Sequence, residues 1–287
     1  MIGDINLDVI AFHRSFPSEG CEEIAERAFV RHGGSGANIA HTLSILGVDV
    51  IMLGCVGKDP VGEFLVEGLQ KAGVDTSLVQ RTEEASGIVY VLVTGSGERT
   101  MLAYRGANKY LRHEEIPANL LDNITLLHIS GYSLLEGEQR RTALKLLEAR
   151  TNHPFTLDMC MPLARNPSVL DILAGRLECL FINMQELQEL SRYNDVKTPS
   201  DIVSRLGCTV VLKKGSGGCE IYTTDNKSFK VLSPATEVVD TTGAGDAFAA
   251  GYIYELLKGS PPLICGETAV RLGAAAASTV GGRITLR

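Results

Sequence analysis

The chain lacks an excess of positive charge: 27 lysines and arginines stand against 34 aspartates and glutamates, a net charge of −7 with a pI near 5.5. That balance removes any general electrostatic reason to bind nucleic acid or an anionic membrane. CxxC pairs are missing too. The seven cysteines (21, 55, 160, 179, 208, 219, 265) are scattered and odd in number, as expected of reduced thiols in a cytosol rather than of a disulfide framework or a zinc site. The six histidines show no HExxH spacing, which argues against a metal hydrolase. No apolar run is long enough to span a bilayer, and the opening MIGDINLDVI carries acidic residues within its apolar stretch, unlike a secretory leader. Repeats, low-complexity tracts and flexible linkers are absent as well. The reading is a soluble cytoplasmic protein over residues 1–287, one main domain with no nucleic-acid or membrane partner.

What is present is an ordinary globular composition, 45% hydrophobic and 21% charged, in a chain of 287 residues that can bury one large core. Short apolar runs at Val48–Leu53, Gly87–Val93, Leu126–Ile129, Phe155–Leu157, Cys179–Ile182 and Thr209–Leu212 predict strands. Helical patterns lie between them. Asp59 and Pro60 suit an N-cap and first helical residue, and Gly73 a stop after Phe64, Leu65 and Leu69. The alternation predicts an α/β fold, a three-layer α/β/α sandwich on a mainly parallel sheet. Two segments, about 10–31 and 86–106, lack helical patterning and predict extended or hairpin structure, the second turning at GSGER between Ile88–Val93 and Thr100–Tyr104. They suit a small β-sheet lid over a substrate.

Thirty glycines are more than usual, and several cluster in Asp240-Thr241-Thr242-Gly243-Ala244-Gly245-Asp246. Apolar residues at 247, 248, 252 and 256 predict a helix from near Ala244 to about Lys258. Its unpaired N–H groups and positive dipole end make Gly243, Ala244 and Gly245 an anion hole for a transferring phosphoryl group. Asp246 directly after them would accept a hydroxyl proton. Taken alone, GxGD reads more readily as a capped helix after a tight turn, and it is not the GxxxxGK[ST] phosphate loop.

The whole string resembles the DTxGAGD signature of the ribokinase-like carbohydrate kinases, the sugar and nucleoside kinases named after a minor phosphofructokinase. A second signature lies far upstream: Gly33-Gly34-Ser35-Gly36-Ala37-Asn38-Ile39-Ala40, then a helix ending at Gly47 and Leu53-Gly54-Cys55-Val56-Gly57-Lys58-Asp59. The resemblance covers nearly the whole chain. It implies a ribokinase-like fold and ATP-dependent phosphorylation of a hydroxyl, with Asp246 as base. It implies sugar contacts from Asn6 and Asp8, from the backbone at Gly33 and Gly34, and from Asn38. Asn183-Met184-Gln185-Glu186 matches the family's NxxE motif, which implies that Asn183 and Glu186 organise Mg2+ and ATP phosphates partly through water. By itself NxxE is also a common helix start. Lys213, Gly215 and Gly218 resemble the ATP-side turn, although a glycine-rich hairpin would look similar. Asp240 and Thr242, with Ser278–Arg283, resemble the place where many members hold a monovalent cation such as K+.

The acceptor is less determined. Ser35 replaces the lysine that ribokinase and sugar-phosphate kinases commonly carry, and resembles the GGS form of nucleoside-kinase members. Of the DxNxR motif of fructokinase and ketodeoxygluconate-kinase members, Asp158-Met159-Cys160-Met161-Pro162 keeps only the aspartate. Arg105, on the predicted lid, either reads a carboxylate or phosphate or is a surface arginine at a strand end. Phe12, Phe16, Tyr90 and Tyr104 either stack on a base or pack. The readings carried forward are a sugar kinase, a nucleoside kinase, and a catalytically silent sugar- or nucleotide-binding relative. Lid strands in the family often pair between subunits, so a homodimer is expected through exposed strand edges. The alanine run 274–277 is expected to serve close helix packing.

Overall fold

Residues that alternate along the central strands face two separate cores, as they must in a sheet covered on both sides. Cys179, Phe181 and Val211 pack into one core, while Leu180, Ile182, Val210 and Leu212 pack into the other. A computed structural model describes this chain over residues 1–96, 98–149 and 153–279.

In chain order, β1 (Asn6–Phe12) and β2 (Arg27–Gly33) form an antiparallel pair, followed by α1 (Ser35–Ile45), β3 (Gly54–Gly57), α2 (Pro60–Lys71) and β4 (Val79–Thr82). Next come β5 (Gly87–Val93), β6 (Arg99–Tyr104), β7 (Leu127–Ser130), α3 (Gly137–Glu148), β8 (Phe155–Asp158), α4 (Met161–Ala164) and α5 (Val169–Leu173). The remainder is β9 (Cys179–Asn183), α6 (Met184–Tyr193), α7 (Pro199–Leu206), β10 (Thr209–Lys213), β11 (Cys219–Tyr222), β12 (Ser228–Val231), α8 (Ala244–Leu257) and α9 (Pro262–Ala277).

Among the described residues the large sheet has the order β12-β11-β10-β9-β8-β7. Strands β7 to β10 are parallel, and β11 and β12 are antiparallel additions at the edge. Ile2 extends the parallel sheet through single bridges to Ile129 and Leu53. A separate sheet, β2-β1-β5-β6, is built from the segments expected to be extended, except that β1 already starts at Asn6, ahead of the expected boundary near residue 10. The expected three layers and small second sheet are therefore present. Gly97 of the GSGER turn lies outside the described residues, but β5 and β6 pair antiparallel on either side of it.

Helix α2 starts as anticipated: the Asp59 carboxylate accepts from Gly62 N–H at 2.7 Å, with Pro60 at the first helical position. The strand expected over Val48–Leu53 needs correction. Only Ile51 and Leu53 make bridges there, and ladder pairing begins at Gly54. Met52 and Leu53 N–H groups donate instead to the carbonyls of Asp75 and Met1, at 2.9 and 2.7 Å, so the backbone is satisfied without a continuous ladder.

Candidate active site

Helix α8 opens on Gly243, whose φ of 71° is left-handed and available to glycine at little cost. The first N–H groups of such a helix have no partners within it and point out of its end. Asp246 lies in this first turn, and α8 is set against α1 so that Asn38 Nδ2 donates to Asp246 Oδ2 at 2.8 Å. Ser35 also hydrogen-bonds to the carboxylate. Burial pushes Asp246 up to about 6; the Asn38 and Ser35 bonds and Lys213 pull against that, and the Asp158 carboxylate adds to it.

A second group of charges stands at the carboxyl ends of the parallel strands, the usual ligand edge of such a sheet. Asp158 ends β8, Lys213 ends β10, and Glu186 opens α6 after β9. Lys213 Nζ donates to Asp158 Oδ1 at 2.5 Å, with both side chains largely buried. Burial alone would lower the Lys213 pKa, but Asp158 and Glu186 outweigh it and keep the ammonium charged. Glu186 and Asn183 cap each other reciprocally at 2.8 Å, so the helix-start reading of NxxE holds for the backbone. The same carboxylate is nevertheless buried, and burial raises it to about 7 against the pull of Lys213. A helix cap alone has no need of that burial.

Lys213 and the opening of α8 border a cavity of about 490 Å³. Lys213, Gly215 and Gly218 line one side, Thr241, Ala244 and Gly245 another, and Phe248, Ala274 and Ala277 supply apolar wall. Lys213 Nζ lies only 3.7 Å from where a side chain on Gly245 would begin. At Gly218, φ is 82° and an added Cβ would stand 1.9 Å from the Val231 carbonyl, so close packing against β12 requires glycine there. The alanine run thus contributes cavity wall, while Ala276 is buried in helix packing.

Asn6, Asp8, Gly33 and Gly34 gather where β1 and β2 meet the start of α1. A Cβ on Gly33 would stand 2.1 Å from an Asp8 carboxylate oxygen, and one on Gly34, at φ 88°, would stand 2.4 Å from the Asp4 carbonyl. The double glycine therefore admits the Asp8 side chain and the first chain segment. Asn6 Oδ1 accepts from Asn108 Nδ2 at 2.7 Å, and Asn108 Oδ1 in turn accepts from Ile5 N–H at 2.8 Å. Arg105 corrects the expectation of a lid or surface residue. It lies beyond the end of β6, turned inward, with Nε and Nη2 donating to the Asp4 carboxylate at 3.1 and 2.9 Å. Its side chain is 11% exposed, because the ion pair offsets the cost of burying the guanidinium. Nη1 has no hydrogen-bond partner and lies 3.8 Å from Glu136.

Asp240 and Thr242 are joined to each other and to the small sheet. Thr242 donates its N–H and hydroxyl to Asp240 Oδ1 at 2.8 and 2.6 Å. Arg99 of β6 donates to Thr242 Oγ1 at 2.8 Å and approaches Asp240 Oδ1 at 3.4 Å. Of the accompanying Ser278–Arg283 segment, residues 280–283 lie outside the described residues.

Sequence reasoning passed over Arg99, Asn108, Ser35 as a donor to Asp246, and the Asp158–Lys213 pair. Asp158 carried a signal as the surviving member of a broken motif. Arg99 sat inside a string read only as a turn. Of the aromatics, Phe12 packs edge-on to Phe29 beneath the Arg27 guanidinium, Tyr104 bonds Glu84, and Phe16 and Tyr90 are exposed.

Comparison with known proteins places the chain among carbohydrate kinases. The model of the pfkB family carbohydrate kinases matches residues 1–287. An uncharacterized sugar kinase of Archaeoglobus fulgidus is 32% identical over 228 residues, 78% of this chain and 90% of that protein. A 5-dehydro-2-deoxygluconokinase of Clostridium beijerinckii is 30% identical over 245 residues, 79% of this chain and 72% of that protein. Among solved structures, the Methanocaldococcus jannaschii nucleoside kinase, described as an archaeal member of the ribokinase family, superposes with a TM-score of 0.84 at 25% identity. The match covers 98% of this chain and 92% of that one.

Proposed function

The chain belongs to the pfkB family of carbohydrate kinases, and from that premise we propose that it moves the γ-phosphoryl group of ATP to a hydroxyl of a small sugar acid, with Asp246 as the base. The observation that carries this is the Asp246 carboxylate, tuned to about 6 and aimed by Asn38, in the first turn of α8 beside the N–H groups of Gly243 and Gly245. The Ala244 N–H donates to the Thr241 carbonyl at 3.2 Å and would have to leave it to reach a phosphoryl oxygen. A base poised slightly below neutral is ionised at pH 7 yet still accepts a proton as the hydroxyl attacks. The hydroxyl oxygen bonds to phosphorus, the bond to the β,γ-bridging oxygen breaks, ADP leaves, and the proton passes to Asp246. Charge on the transferring oxygens meets the helix N–H groups, with the Lys213 ammonium beside Gly245.

The nucleotide fits the cavity beside α8 and α9, with its phosphates at Lys213, Gly215 and the α8 opening. Among the described residues no group of three or more His, Cys, Asp or Glu could hold a metal unaided. Asp158, Glu186 and Asp246 nonetheless outnumber Lys213, so the site keeps negative charge. That fits Mg2+ arriving with ATP and bound through phosphate, water and Glu186, where it would neutralise phosphate charge. Asn183 acts by aiming Glu186.

On the acceptor side, Asn6, Asp8 and Asn38 provide hydroxyl partners, and the buried Asn38 Oδ1 has no hydrogen-bond donor of its own. Nη1 of Arg105, which has no hydrogen-bond partner and only a 3.8 Å ion pair with Glu136, favours an acidic sugar, in line with the name of the Clostridium relative. A nucleoside acceptor is the second reading, favoured by Ser35 and by the exposed Tyr90 on the small sheet. We also propose that this sheet is the lid of a single kinase unit and pairs with a second copy. Its Val30, Tyr90, Met101 and Leu102 are exposed apolar side chains, Leu102 at 72%. Light scattering would read a dimer, and a monomer would end that proposal. No described helix is long and apolar enough to cross a membrane, and six of the seven cysteines are buried free thiols, which suits the cytosol.

ADP release with Mg-ATP over pentoses, hexoses, sugar acids, sugar phosphates and nucleosides tests the reading. Turnover confined to sugar acids is expected. Tight ATP binding with no turnover on any acceptor would instead favour a silent binding protein.

A further inference from the structure

Asp240 and Thr242 were expected to be ligands of a monovalent cation, yet a side chain of this chain already brings a cation to them. Arg99 Nη1 lies 2.8 Å from Thr242 Oγ1 and 3.4 Å from Asp240 Oδ1. The bonds run in one direction: the guanidinium donates to the Thr242 hydroxyl, and that hydroxyl donates to Asp240 at 2.6 Å. The Asp240 side chain is 4% exposed and that of Arg99 is 23% exposed, so the contact is mostly shielded from water. The same loop is tied to the end of α9, where Val239 and Asp240 N–H groups donate to the Ala277 carbonyl at 2.9 and 3.1 Å. Thr242 immediately precedes Gly243, the left-handed residue that opens α8.

We infer that Arg99 is a positioning residue that does the work of a monovalent cation for this loop. Its charge holds the Asp240–Thr242 pair and so sets the direction of the Gly243, Ala244 and Gly245 N–H groups. A fixed positive charge beside this loop also favours negative charge growing on a phosphoryl group held there. Because Arg99 belongs to β6, the contact exists only when the small sheet stands over the loop, and the anion hole is completed by that sheet. The resulting expectation is an enzyme indifferent to K+.

This inference rests on the phosphotransfer reading, and two readouts keep their failures apart. Wild-type kcat should be the same, within about twofold, in potassium, sodium and tetramethylammonium chloride at equal ionic strength. Arg99→Met should lower kcat about tenfold or more while the acceptor KM changes little, because Arg99 stands with the phosphoryl loop and not the sugar side. Guanidinium chloride at millimolar concentration, or K+, should restore part of that kcat. The second readout needs no turnover. The melting temperature of the wild type should be the same in potassium and tetramethylammonium salts, and Arg99→Met should gain a K+-dependent rise. If Arg99→Met does not fold, Arg99→Lys and Arg99→Gln decide, with function kept by the charged variant and lost by the neutral one. Activation of the wild type by K+, a K+-dependent rise in its melting temperature, or unchanged kcat in Arg99→Met or Arg99→Gln would overturn the inference.

Discussion

Asn38 Nδ2 donates to Asp246 Oδ2 at 2.8 Å, joining residues 208 positions apart in the chain. The bond favours the ionised carboxylate and opposes the burial that raises it. Asn38→Leu should therefore raise the Asp246 pKa further and move the acid limb of the kcat/KM profile to higher pH. A loss of about 10–100-fold at neutral pH is expected for such a supporting partner. A profile scaled down without any shift would mean that Asn38 serves only the acceptor.

The wild-type profile has its own sign. Asp246 must be unprotonated to accept the hydroxyl proton, so kcat/KM should fall as pH drops through about 6, with any earlier decline near 7 belonging to Glu186. Asp246→Asn should remove about 10²–10⁴-fold or more of kcat while calorimetry shows ATP affinity little changed. Unchanged kcat would refute its role as base.

The same shift bears on stability. A carboxyl whose folded pKa is raised to about 6 from an ordinary 3.8 binds protons more tightly folded than unfolded. Its charged form thus destabilises the fold fully above about pH 6, and the penalty fades as pH falls from there towards the unfolded value. Asp246→Asn should accordingly melt higher than wild type at pH 8, by a margin that shrinks at pH 5. An inactive variant that melts lower at both pH values would indicate structural damage instead.

Lys213 and Asp158 form a buried pair, and removing one partner leaves the other charge uncompensated. Lys213→Met should cost about 3–5 kcal/mol by chemical denaturation. Lys213→Met with Asp158→Asn should regain much of that stability but not the ATP-dependent rate, because the ammonium beside Gly245 is still absent. Recovery of both stability and rate would assign the pair a purely structural role.

Gly33 is confined by the Asp8 carboxylate, 2.1 Å from the position of an added Cβ. Gly33→Ala must displace Asp8, and kcat/KM for the acceptor should fall on the order of 10²-fold. ATP affinity, measured by calorimetry, should be untouched. Equal losses for acceptor and ATP would show a general disruption rather than a displaced acceptor contact.

Much of this was legible in the chain because local patterns encode local geometry. The periodicity of residues 244–257 marked α8, Asp59-Pro60 marked the start of α2, and the absence of helical patterning marked the segments that form the small sheet. The DTTGAGD string pointed to the proposed anion hole and base because four adjacent residues would carry both. Val48–Leu53 was misjudged because apolarity reports burial, whereas a ladder also needs a neighbour in register along its length.

By itself, then, the sequence determined the α/β class, the helix that presents its N–H groups, and the carboxylate placed behind them, since each depends on contacts a few residues long. Only the tertiary structure decided what surrounds that carboxylate and what holds its loop. Asn38 reaches Asp246, Lys213 reaches Asp158, Arg105 turns onto Asp4 and Arg99 reaches Asp240 across 208, 55, 101 and 141 positions respectively. Burial raises the energy of an unpaired charge wherever it sits, but which partner relieves it depends on which strand ends and helices the fold places side by side.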